Sequence, residues 1–225
     1  MTLGTDQSAE KIGTLYGYWR SSCSWRVRLA LAYKGLEVHH HPIHLVKNGG
    51  EQFQEDYTQH NLMQQVPLLI LQDGTVLSQS IAILEFLEEA YPNPKLLPSN
   101  SIERAKVRQI VEIINSGIQP LQNLSLLNYF ADNHLDQMAF AKKSIEKGLR
   151  SIAQLLPKSN GPFLLGETIT FAECCLIPQL YNAKRFNCDL AGLERLLQVE
   201  SRCQLLECFQ VAHPNNQPDA QIDAQ

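Results

Sequence analysis

A chain of 225 residues is long enough for one large domain or two small ones, and it buries a core without disulfide or metal staples. Its 44% hydrophobic and 19% charged residues are ordinary globular composition, which excludes a disordered, collagen-like or fibrous protein. With 19 Lys and Arg against 23 Asp and Glu, a net charge of −4, bulk charge does not recruit it to nucleic acid or to an anionic membrane.

In chain order, Met1 to Lys11 is polar, with neither a secretory apolar core nor the Arg-rich bias of a transit peptide. Residues 1–12 are therefore expected to be a loose extension. Residues 14–19 are aromatic and β-prone. Residues 25–34 read as a helix with Val27, Ala30 and Leu31 on one face and Gly35 as its stop. Residues 38–45 are strand-like, and residues 52–57 form a short helix. The run 66–71 pairs with 75–77 across Gln72-Asp73-Gly74, a hairpin signal. Ser78 is placed to cap a helix over 81–90 that stops at Tyr91-Pro92. The order β-α-β-α-β-β-α is that of a thioredoxin-like half, a mixed four-stranded sheet with helices, over residues 13–93.

Pro94 and Pro98 mark a linker over 94–100. Beyond it the chain reads at helical period over 102–117, 120–130, 135–156, 170–182 and 198–209. Thr170 and Glu173 form a capping box before an apolar run. Residues 101–220 are thus expected to be an all-helical domain, with 221–225 a tail. No run approaches the roughly 18 apolar residues of a membrane span. The six cysteines lack CxxC spacing, which points to reduced thiols in a cytoplasmic chain.

The stretch with most chemistry is Arg20-Ser21-Ser22-Cys23-Ser24-Trp25-Arg26-Val27-Arg28, where the first strand gives way to the first helix. Free N–H groups at a helix N-terminus suit an anion. A thiol of pKa about 8.5 is a few per cent ionised at pH 7, and lowering it by two units takes about 2.7 kcal/mol. One hydrogen bond to a charged partner supplies about 1.5–3 kcal/mol, so a serine with helix amides suffices without a metal. The thiol is either Cys23 or one brought by a ligand. At Val66-Pro67 a proline opens a strand, a position that frees the preceding peptide group to pair with a peptide-like ligand. Gln79-Ser80 stands at a helix start where amides and a hydroxyl receive a carboxylate.

Together these segments resemble the zeta-class glutathione transferases, the maleylacetoacetate isomerase family. The match rests on residues 21–28, Gln65-Val66-Pro67, Gln79-Ser80 and residues 119–125. Pro178-Gln179, Asn182-Ala183, Arg185-Phe186, residues 209–211, His213-Pro214 and residues 217–219 extend it, so it spans about residues 13 to 220. The resemblance implies a thioredoxin-like glutathione-binding domain, an all-helical substrate domain and a homodimer. It implies that Ser22 holds the glutathione thiolate, with Ser21 and Cys23 beside it as catalytic residues and Ser24, Trp25 and Arg26 in the same cofactor-binding run. Val66 would pair with the cysteinyl backbone, Gln79 and Ser80 would hold the γ-glutamyl end, and Gln52 the glycine end. Gln119, Asn123, Leu124 and Ser125 would line the pocket from the helical side. Arg20 and Arg185 would bind a small dicarboxylate substrate. The implied reaction is glutathione-dependent cis–trans isomerisation of maleylacetoacetate to fumarylacetoacetate, a step of tyrosine and phenylalanine catabolism.

The chain departs from its relatives at Asn61-Leu62, where they commonly carry Asn-Pro. Other activities share the Ser-Ser-Cys site, namely general glutathione transfer and α-haloacid dehalogenation. A noncatalytic interaction module of the same fold is disfavoured because Ser21, Ser22 and Cys23 are all present. Thiol–disulfide exchange is disfavoured by the missing CxxC. No metal is expected: His39, His40 and His41 alternate across a strand and read as a solvated edge. Cys174, Cys175, Cys188, Cys203 and Cys208 read as buried small hydrophobes.

Overall fold

The structure is a computed structural model that describes residues 10–134, 136–157 and 161–220; the expectations for residues 1–9 and 221–225 lie outside the described residues. Its contacts divide the chain into two compact units, one of residues up to 94 together with those from 211 onward, the other of residues 95–210.

The first unit runs β1 (Gly13–Gly17), α1 (Ser22–Lys34), β2 (His39–Pro42), α2 (Glu55–Thr58), β3 (Leu68–Leu71), β4 (Val76–Ser78) and α3 (Ser80–Ala90). The sheet order is β2-β1-β3-β4, with β2 parallel to β1 and the other pairs antiparallel. This is the mixed four-stranded sheet that the alternation of β-rich and helical runs implies. Leu15, Leu68 and Leu69 from the sheet are buried, as are Val27, Leu29, Ala30, Ile83, Leu84 and Leu87 from the helices. The helix α1 stops where expected, because Gly35 takes the left-handed conformation (φ 66) and its N–H bonds back to Ala32 and Leu31. It starts earlier than the apolar pattern suggests, at Ser22. All four residues of the edge strand β2 are exposed, as the histidine run leads one to expect.

The second unit is helical: α4 (Ser101–Glu112), a π-helical stretch (Ile113–Ile118), a 3₁₀ turn (Gln119–Gln122), α5 (Leu124–Asp132), α6 (Gln137–Leu155), α7 (Phe171–Arg185), α8 (Glu194–Cys203) and α9 (Glu207–Ala212), which ends in the first unit. Two expected helices are altered. The single helix over 102–117 widens after Glu112, where Asn115, Ser116 and Gly117 are weak helix formers just before Pro120. The widening seats Ile118 against Gly148 of α6, where any Cβ would meet the Ile118 side chain at 2.3 Å. The expected helix over 198–209 is two, because a straight continuation would carry Phe209 well off the buried stripe of Val199 and Cys203.

The contacts divide the chain at a different place from the expected end of the helical domain at residue 220. From Val211 the chain packs in the first unit, through hydrogen bonds and ring contacts described below.

Candidate active site

The register of the sheet brings four segments to one end. Gly17 closes β1 opposite Pro42, Tyr16 stands opposite Leu68 at the start of β3, and Leu68 stands opposite Ser78 at the end of β4. The loops carrying residues 18–21, 43–52, 64–67 and 79–80 therefore all issue from the same edge of the fold. Ligands of open α/β sheets bind at such a place.

At that end α1 begins with Ser21 as its N-cap, whose hydroxyl accepts from the Ser24 amide at 3.2 Å. Ser21 thereby caps the helix as an acceptor and keeps its own O–H donor. The Ser22 and Cys23 amides have no hydrogen-bond partner among the described residues, and neither has the Ser22 hydroxyl. No acidic residue occupies the first turn, so the positive end of the dipole stays open to an incoming anion. Cys23 is half-buried beside Ser22.

Three residues of this run face inwards. Ser24 is fully buried and its hydroxyl accepts from the Tyr18 amide at 3.4 Å. Trp25 is buried with its ring edge-on to His213. Arg26 has no exposed surface and donates to the Ser80 hydroxyl at 3.1 Å, tying α1 to the start of α3. Arg28 is buried too. Of the three arginines in this run, two are therefore turned into the protein rather than towards the helix start. Ten of the thirteen residues of α1 are buried, which leaves Arg26 and Arg28 nowhere to go but inside. Arg20 remains half-buried in the loop, its guanidinium 5.2 Å from the Trp19 ring centroid.

The Val66–Pro67 peptide is cis, and neither the N–H nor the C=O of Val66 bonds to another described residue. The residue before it is held hard: Gln65 O accepts from both Tyr57 Oη and Asn61 Nδ2, and burial pushes the Tyr57 phenol up to about 12. Asn61 thus pins the loop that carries the exposed Leu62. Gln52 is buried, its Nε2 donating to Leu45 O at 3.3 Å while its Oε1 has no partner. Gln79, not Ser78, precedes α3, and it holds φ +70, a left-handed conformation rare for a side chain of its size. The amides of Ser80, Ile81 and Ala82 have no described partner, and the first turn of α3 again carries no acid.

Gln119, Asn123, Leu124, Ser125 and Arg185 lie in the second unit. Gln119 opens the 3₁₀ turn, and Asn123 caps α5 by accepting from the Ser125 amide at 3.2 Å. Leu124 and Ser125 are exposed. Arg185, exposed at the end of α7, donates to Asn182 Oδ1 at 3.3 Å. A reciprocal pair of buried amides, Gln122 and Gln179 at 2.9 and 3.1 Å, ties the 3₁₀ turn to α7, so Gln119 and Arg185 stand on one braced framework. Among the described residues no group of three His, Cys, Asp or Glu is arranged to hold a metal.

Residues that sequence reasoning missed act around the site. The Nδ1 of His44 accepts from the Lys47 amide at 2.9 Å, leaving its buried Nε2 without a partner. Arg28 and Asp219 hold the loop before Ser21, and the Asp219 contact, across 200 residues, has no local signature. Two cysteines differ from expectation: Cys188 and Cys208 are half-buried, while Cys174, Cys175 and Cys203 are buried. Burial pushes the thiols of Cys174, Cys188, Cys203 and Cys208 up, away from reactivity.

A mixed sheet with an open helix start, an unpaired strand-entry peptide and an all-helical second unit is the architecture of the glutathione transferases. Residues 20–90 match the family of the glutathione S-transferase N-terminal domain. The chain is 46% identical over 205 residues to maleylacetoacetate isomerase of Rattus norvegicus, covering 91% of this chain and 94% of that one. Among solved structures it is similar to maleylacetoacetate isomerase of Anaeromyxobacter dehalogenans with glutathione in its active site. There the TM-score is 0.85 and the identity 42%, over 94% of this chain and 100% of that one. It is also similar to a bacterial maleylpyruvate isomerase of the zeta class, at TM-score 0.88 and 35% identity over 92% of this chain and 100% of that one. The chain belongs to the zeta class of glutathione transferases, the maleylacetoacetate isomerase family.

Proposed function

We propose that the chain catalyses the glutathione-dependent cis–trans isomerisation of maleylacetoacetate to fumarylacetoacetate. The observation that carries this reading is the set of unpaired polar groups at one end of the sheet: the Ser22 hydroxyl and amide, the Cys23 amide, the Val66 peptide, Gln52 Oε1 and the open start of α3. That set fits glutathione, a short peptide with one anionic thiol and terminal carboxylates. Val66 offers one donor and one acceptor to an extended peptide. The amides of α3, with the Ser80 hydroxyl backed by Arg26, receive a carboxylate. The Ser22 hydroxyl and the first amides of α1 stabilise a thiolate over a thiol.

These residues would hold glutathione, which when bound would supply a thiolate for reversible addition to the conjugated double bond, with elimination of the same thiolate after rotation restoring both the double bond and the cofactor. Arg20 and Arg185 are assigned to the substrate carboxylates, a bidentate task suited to guanidinium. Ser22 keeps the nucleophile ionised near neutral pH, and the amides around it offset charge that develops in the transition state. By family resemblance the enzyme is further read as a cytoplasmic homodimer serving tyrosine and phenylalanine breakdown. A solution mass of one chain would contradict the dimer.

The experiment is turnover of maleylacetone, a surrogate for the natural substrate, with and without glutathione. Isomerisation that requires glutathione and regenerates it is the expected result. No turnover while glutathione still binds would move the reading to a transferase or dehalogenase.

A further inference from the structure

The β1–α1 loop, residues 18–21, ends at the N-cap of α1, so whatever fixes this loop fixes where Ser22 points. Its peptide groups are held by two side chains, one from the next helix and one from the far C-terminal segment. The Trp19 amide donates to Asp219 Oδ2 at 3.0 Å, across 200 residues. The Arg28 guanidinium donates to Trp19 O at 2.8 Å, to Tyr18 O at 3.4 Å and, through Nε, to Ala212 O at 3.3 Å. Tyr18 O also accepts from the amide of Ser21 at 3.0 Å, so one carbonyl links the guanidinium to the N-cap.

The segment that supplies Asp219 and Ala212 is itself seated in the first unit. His213 stacks edge-on against Trp25 at 5.3 Å between centroids, and Ala220 packs against the buried cluster of Tyr18, Trp19 and Val66. Gln217 Nε2 folds the segment on itself through Val211 O and His213 O. Arg28 is only 6% exposed, and burial lowers its pKa to about 10 against the opposing pull of Asp219. A cation kept at such depth needs several acceptors, and here those acceptors belong to the loop and the C-terminal segment.

We propose that Asp219 and Arg28 are positioning residues of the glutathione site: the C-terminal segment clamps the β1–α1 loop through them and thereby aims Ser22 and the first amides of α1. The proposal rests on the reading of this site as a glutathione site. It predicts that the C-terminal segment governs thiol ionisation without touching the thiol.

The test compares the wild-type chain with Asp219→Ala, Asp219→Asn and Arg28→Lys. It measures the pKa of bound glutathione by the ultraviolet absorbance of its thiolate, and the KM for glutathione. Asp219→Ala is expected to raise that pKa by about one unit and KM by about tenfold. Asp219→Asn retains an acceptor for the Trp19 amide and recovers most of both. Arg28→Lys, which loses the fork, behaves like Asp219→Ala. Amide hydrogen exchange at Trp19–Cys23 in the free protein should quicken in Asp219→Ala while β3 and α7 stay unchanged. Variants that ionise and bind glutathione as the wild type does would overturn the clamp and leave the site reading intact. A wild-type chain that does not ionise glutathione would overturn the site reading, and the proposal with it. Should Asp219→Ala not fold, Asp219→Asn and Arg28→Lys decide by the same two quantities.

Discussion

The starts of α7 in one unit and of α1 and α3 in the other are built on opposite plans. At α7 every donor is closed off. Thr170 Oγ1 accepts from the Ala172 amide, while Glu173 takes the Thr170 amide, the Thr170 hydroxyl and the Leu164 amide at 2.7–2.8 Å, all without exposed carboxylate surface. At α1 one serine closes one amide, and at α3 no side chain caps at all. Acidic residues occupy the first turns of α2, α4, α7 and α8; α5 and α6 lack them but are capped by Asn123 and Asp136, whereas α1 and α3 have no acid and α3 has no side-chain cap. The same backbone feature is thus closed by the chain itself at α7 and left open at α1 and α3. The difference lies in whether the chain supplies its own anion.

The largest expected effect tests the closed plan. Glu173→Ala would orphan three buried donors and cost about 3–5 kcal/mol of stability, read from urea unfolding. Activity per folded molecule should hold within about twofold, since no site residue is removed. Next comes the open plan. Ser22→Ala should lower kcat/KM by about 10–150-fold, the worth of one hydrogen bond to a charged partner, with stability within about 0.5 kcal/mol. Cys23→Ala should be milder, and an equal loss would show that the two roles are reversed.

A smaller effect is expected at the other open start. Gln79→Gly relieves a left-handed backbone and should raise stability by about 0.5–1 kcal/mol, while KM for glutathione rises as its side chain is lost. Unchanged stability would mean that Gln79 is not strained. Smallest is a pH effect in the C-terminal segment. Burial and the Arg28 charge lower the pKa of His213. Below about pH 6.5 the unfolded chain therefore takes up protons that the native state refuses, so stability present above that pH is lost as pH falls. His213→Gln should flatten this slope, measured as unfolding free energy between about pH 7 and 5. A slope that is unchanged would place the titration elsewhere.

Much of this was legible because it is local. The stop at Gly35, the hairpin around Asp73-Gly74 and the capping box at Thr170 each rest on residues within four positions of one another. The Ser-rich start of α1 and the Val66–Pro67 entry were legible for the same reason. The inward turn of Arg26 and Arg28 was not. A helix buried on nearly all sides has no polar face to announce it, and the acceptors of these guanidiniums lie on Ser80, Ala212 and the loop at Tyr18-Trp19. The break between α8 and α9 was hidden because continued helical period and a change of buried stripe look alike over a few residues.

By itself, then, the amino-acid order determined the element succession, the two-part plan and the chemical types gathered at the first helix start, since periodicity, turn residues and caps act over a few positions. Only the tertiary structure decided which of those residues face the site. Ser21 and Ser24 became supports and Ser22 stayed open because of how α1 is rotated against its neighbours. The return of residues 211–220 to the first unit was decided in the same way, by a buried guanidinium that finds its acceptors only once distant parts of the chain have met.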